Sequence, residues 1–132
     1  MSSIQNYVQG SWIAGDGEEY VAHNAINGQV IGGVSSAGLD YAAILDHARK
    51  KGGPALRKMT FQERGRMLKA LALYLMERKE KFYTLSAATG ATRVDSWIDI
   101  EGGIGNLFAY ASLRKQFPDL PYAVEGDVAP LS

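Results

Sequence analysis

The stretch from Thr60 to Gly90 constrains the fold more than any other part of this sequence. Thr60 with Glu63 forms a capping box, in which hydroxyl and carboxylate each satisfy a backbone amide that a helix start leaves without a partner. Behind it, Phe61, Leu68, Leu71, Leu75, Phe82 and Leu85 recur at the three-, four- and seven-residue steps of one buried stripe. Gly90 then supplies the left-handed residue that closes a helix. These signals predict one helix over about 60–89. A stripe that long must be covered, either by the rest of the chain or by something else.

The flanking segments change character. Residues 5–34 read as strands and turns: Asn6 to Ile13 carries β-formers around Gly10, Ala14–Gly17 is a turn, and Tyr20–Ala22 resumes an extended segment. Asn27-Gly28 before Gln29–Val34 is a hairpin signal. A helix is predicted over about 39–51, with Ala42, Leu45 and Ala48 on its apolar face and Gly52-Gly53-Pro54 as its stop. Another is predicted over about 93–114, its apolar face made of Val94, Trp97, Ile98, Ile104, Leu107, Phe108 and Ala111. Gly102, Gly103 and Gly105 lie inside it, each costing about 1 kcal/mol against alanine. Such glycines point to a close-packed neighbour or a kink. The tail from Phe117 has no helical period, and no strand is expected after the helices. The expectation is an α+β segment: a β-hairpin region, then three amphipathic helices.

Chemistry is sparse. The chain has 132 residues, one ordinary domain, and its 14 basic residues balance 14 acidic ones, so no net field recruits nucleic acid or an anionic membrane. Arg49, Lys50 and Lys51 fit the end of a helix, where cations offset the dipole. There is no cysteine, which excludes a thiolate nucleophile, a zinc–thiolate site and disulfides within the chain. Residues 1–6 lack the features of an export signal, and no apolar run approaches the roughly 20 residues that span a bilayer. A cytoplasmic location is expected. His23 and His47 fall in different elements, with no triad spacing. Asp95, Asp99 and Glu101 share part of the third helix, a solvated carboxylate face that could at most hold a cation. A dinucleotide fingerprint needs its glycines at a strand–turn–helix junction. Taking Gly103 and Gly105 as its first pair puts Phe108 in the third position, with no strand before them.

The order of segments resembles the start of the aldehyde dehydrogenase family. Asn6-Tyr7-Val8-Gln9-Gly10-Ser11-Trp12 is similar to an opening strand N-x-I-x-G-x-W, and Asn24 to Ile31 to N-P-A-T-G-E-V-I. Asp40 through Ala48-Arg49 fits a D-x-A-x-x-A-R helix, and Thr60 to Arg64 the cap of the long helix. Ala88-Thr89-Gly90 fits E-T-G, and Phe108 to Ala111 fits F-x-Y-Y-A. Ala25 for proline and Ala88 for glutamate depart from that pattern. With Ser36–Asp40, Gly53–Arg57 and Asp95–Ile104, those departures resemble the branch of bifunctional ring-opening enzymes of phenylacetate degradation. The N-terminal half of that branch is an NADP-dependent semialdehyde dehydrogenase for a CoA thioester. CoA-linked semialdehyde dehydrogenases of benzoate breakdown are also similar.

The resemblance implies an α/β parent fold in which residues 1–132 form the N-terminal portion of an NAD(P)-binding domain, flanking its sheet. In the family a cysteine thiolate attacks the aldehyde, hydride passes to NADP or NAD, and a glutamate activates the water that releases the acid. Those residues lie downstream of the matched region, so no catalytic, cofactor-binding or metal-binding residue carries over; Glu101 stays in view because some relatives hold a monovalent cation near this helix. The implied partners are the remainder of the dehydrogenase chain or a dehydrogenase subunit, in a homo-oligomer. The leading expectation is a structural segment of such an enzyme, truncated, not catalytic alone and with exposed apolar helix faces. The second is a stand-alone binding or regulatory module of the same ancestry. The third is an unrelated helical protein.

Overall fold

The structure, a computed structural model, describes residues 3–124 and 130–131. The chain divides into two compact units. One comprises the chain up to Gly52 with Ala88–Gly90; the other comprises Gly53–Ala87 and the chain from Ala91 on.

The first unit holds five short strands. β1 (Ser3–Ile4) runs parallel to β5 (Val30–Val34), and β4 (Tyr20–His23) pairs antiparallel on the other edge of β5. β2 (Asn6–Val8) and β3 (Ser11–Ile13) form a separate hairpin with Tyr7 opposite Trp12. Gln9 and Gly10, at φ 52° and 85°, make the primed turn that suits the twist of a two-residue hairpin. What reads in sequence as one strand around Gly10 is therefore two strands.

The β4–β5 hairpin is closed by a six-residue loop rather than a two-residue Asn-Gly turn. Asn24 N–H donates to Gln29 O at 2.8 Å, and the Asn24 and Asn27 side chains accept from Ile26 N and Gln29 N. Gly28 takes φ 71° within it. Ala25 N–H donates to Ala88 O at 2.8 Å, which a proline could not do.

The helix expected to stop at Gly52-Gly53-Pro54 does not stop there. Asp40 caps α1 (Tyr41–His47), a π-helical segment follows over Ala48–Gly52, and α2 occupies Gly53–Lys58. Pro54 sits in the first turn of α2, where its missing N–H costs nothing, and the wider π turn before it makes room for the ring. The face expected to pack is also turned out: Ala42, Leu45 and Ala48 are exposed, whereas Ala43, Ile44 and His47 are half-buried.

In the second unit, the predicted 60–89 helix is two helices, α3 (Phe61–Met76) and α4 (Lys79–Ala87). The break lies at Glu77-Arg78. Arg78 N–H bonds to Leu75 O, one residue short of the α partner, and its guanidinium donates to the vacated Tyr74 O while stacking 3.6 Å over the Tyr74 ring. The Thr60–Glu63 capping box is present. Thr92 and Asp95 form a second one, which opens α5 (Arg93–Leu113); a 3₁₀ turn at Arg114–Gln116 follows. A short ladder also follows the helices, β6 (Ala123–Val124) with β7 (Pro130–Leu131), contrary to the expectation of no strand there. Two residues per strand carry no periodicity to read.

The second unit packs through small residues. Its buried side chains are Ala72, Tyr83, Ile104, Ala111 and Ala123 with Ser96, and Gly65 is buried as well. A methyl group placed on Gly65 would come 2.5 Å from Arg114 Cδ and 3.0 Å from Ala111 O, so α3 and α5 cross at close range there. The seven-residue series Phe61, Leu68, Leu75 and Phe82 is half-buried, while Leu71 and Leu85 are exposed. Gln62 Nε2 donates to Arg114 O at 2.7 Å, and Phe61 stacks on Phe117 with centroids 4.5 Å apart. These ties fix the start of α3 to the end of α5.

Candidate functional site

The most connected polar cluster joins α4 to α5. Tyr83 is the one buried residue of α4, and its hydroxyl donates to Glu101 Oε1 at 2.7 Å. Lys79 Nζ, one helical turn earlier, donates to the same oxygen at 3.0 Å. Arg93 lies 3.6 Å over the Tyr83 ring and reaches both carboxylate oxygens of Glu80. The hydroxyls of Ser86 and Ser96 lie 2.8 Å apart. Positions 79, 80, 83 and 86 follow helical spacing, so one face of α4 presents the whole set to α5.

The electrostatics follow from these bonds. The Tyr83 and Lys79 donors hold the Glu101 carboxyl below its ordinary range. Burial, then the bond to Glu101, pushes the Tyr83 hydroxyl up. At neutral pH Glu101 is an anion with two donors on one oxygen, and Tyr83 remains protonated. The protonated Tyr83 is no nucleophile, and the Glu101 carboxylate is engaged by two donors from α4, so the cluster works as a latch between helices.

The carboxylates do not converge: Asp95 accepts from the Thr92 hydroxyl and amide, which lower its pKa, Glu101 turns toward α4, and Asp99 is exposed. Among the described residues no group of three or more His, Asp or Glu side chains could hold a metal. His23 ends β4, exposed, and His47 ends α1, half-buried. Gly102, Gly103 and Gly105 lie in the interior of α5, whose helical bonds occupy their amides. They do not fit the cradle that a dinucleotide phosphate requires. They are also not where this chain packs closely, since a methyl group on any of the three would meet nothing within 4 Å.

Sequence reasoning missed the latch and the Gly65 crossing. The latch had a legible component, because Lys79, Tyr83 and Glu80 share one face of α4. Its partners on α5 are 10 to 22 residues away, beyond any local spacing rule.

Two further surfaces lie on the helices. A groove of about 330 Å³ runs between α3 and α5, lined by Phe61, Leu68, Tyr110, Leu113, Arg114 and Phe117. On α5, a shallow trough lies along Asp95, Ile98, Gly102 and Asn106. Among the described residues no helix is long and apolar enough to cross a membrane.

Comparison with known proteins agrees with the resemblance read in the sequence. The model of the aldehyde dehydrogenase family matches residues 12–123. A 3,4-dehydroadipyl-CoA semialdehyde dehydrogenase from Aromatoleum evansii is 36% identical over 113 residues, which cover 85% of this chain and 22% of that relative. The chain therefore spans about a fifth of that relative's length.

Proposed function

We propose, from the premise that this chain belongs to the aldehyde dehydrogenase family, that it is a structural segment of an NAD(P)-dependent dehydrogenase acting on a CoA-linked semialdehyde of aromatic-acid degradation. Its part is to pack against the dehydrogenase polypeptide that carries the chemistry. NADP or NAD and a homo-oligomeric assembly belong to that parent enzyme. The 1–132 segment is the N-terminal portion of its α/β cofactor domain.

The observation that carries this reading is the open surface of α5. Val94, Trp97, Ile98 and Tyr110 are all more than half exposed, and three helix-interior glycines beside them face nothing. Glycine inside a helix costs about 1 kcal/mol against alanine, which is offset where another backbone comes close. In a dehydrogenase of this kind that neighbour is the remaining polypeptide. The substrate class rests on the Aromatoleum relative and on its 36% identity.

A hybrid tests it. This chain replaces the matching segment of the Aromatoleum enzyme, and turnover of its semialdehyde with NADP or NAD is measured. The hybrid is expected to retain activity, and the 132-residue chain alone to have none. Turnover by the isolated chain would overturn the structural role; a folded hybrid without turnover would overturn the parentage. Gly102→Ala and Gly105→Ala should stabilise the isolated chain by up to about 1 kcal/mol each and destabilise the hybrid. Stabilisation in both would show that the α5 surface has no close neighbour.

A further inference from the structure

We draw no further inference here: the strongest candidate, the shallow trough on α5 lined by Asp95, Ile98, Asp99, Gly102, Gly103 and Asn106, is a stripe of small and acidic residues on the face already assigned to packing, and nothing in the structure shows which group would occupy it.

Discussion

Gly65 and Glu101 tie α5 to its neighbours in opposite ways, one at the C-terminal end of α5 and the other along its middle. At Gly65 the absence of a side chain lets α3 approach the Ala111 carbonyl and the Arg114 stem. A side chain there must displace the Arg114 stem and crowd the Ala111 carbonyl, so Gly65→Val should destabilise the chain by about 1–3 kcal/mol. Urea midpoints of the variant and the parent would measure it; a loss no larger than that of an exposed α3 position would count against a close crossing.

Glu101 works through charge. Its carboxyl is held below the ordinary 4.5, so its contribution is complete above 4.5 and is lost as pH falls through the lower folded value. Asp95, held below 3.8 by Thr92, behaves the same way. Tyr83 is raised above 10.0, so its contribution is present below 10.0 and is lost as pH rises through the higher folded value. Stability attributable to these groups should therefore be level between 4.5 and 10.0 and decline on both sides. Glu101→Gln should lower the neutral plateau and flatten the acid limb in a series of unfolding curves against pH. An acid limb as steep as the parent's would mean that the latch contributes nothing.

Among the elements, those with a complete local signal were legible and those set by tertiary geometry were not. Thr60 and Glu63 announce their helix because both halves of the capping box lie within four residues, and α3 begins at the next residue, Phe61. Thr60→Ala should cost about 1 kcal/mol, read as a shift in the thermal midpoint; no shift would mean that the start of α3 is held instead by the Phe61–Phe117 stack and by the bond from Phe61 N–H to Leu120 O. The break at Arg78 was illegible, since it contains no glycine or proline and arises from a guanidinium taking a carbonyl one turn back. Gly52-Gly53-Pro54 misled for the complementary reason. Proline stops a helix when it must fit four residues into an α turn, but a π turn before it removes the clash. In α5, the apolar face read from sequence is buried at Ile104 and Ala111 and exposed at Val94, Trp97 and Ile98. Periodicity marks which residues want cover, and does not say where the cover comes from. The site was legible to a lesser degree: Gly102, Gly103 and Gly105 were read as a close-packing surface, but within this chain they meet no neighbour, and the close crossing lies at Gly65 instead.

For the molecule as a whole, the small core is the dominant fact. Among the described residues no large side chain is fully buried, while residues such as Trp12, Tyr20, Ile26, Trp97, Ile98 and Tyr110 remain exposed. Apolar surface left in water is stabilised by association. The isolated chain should bind a hydrophobic dye and show a weight-average mass that rises with concentration; a monodisperse monomer without dye binding would argue for a self-sufficient module instead.

The Ala25–Ala88 bond has a consequence for cutting the chain. Residues 88–90 belong with the β-strands although the helices on either side of them do not. The chain therefore passes between the two units three times, after Gly52, after Ala87 and again after Gly90. A protease that nicks the Gly52–Gly53 bond separates β1–β5 and α1 covalently from the later helices but leaves the carbonyl partner of Ala25 on the other fragment. Neither half is a transplantable module: any shuffling of this segment into another protein must carry the strands together with the helices through Phe117 as one piece.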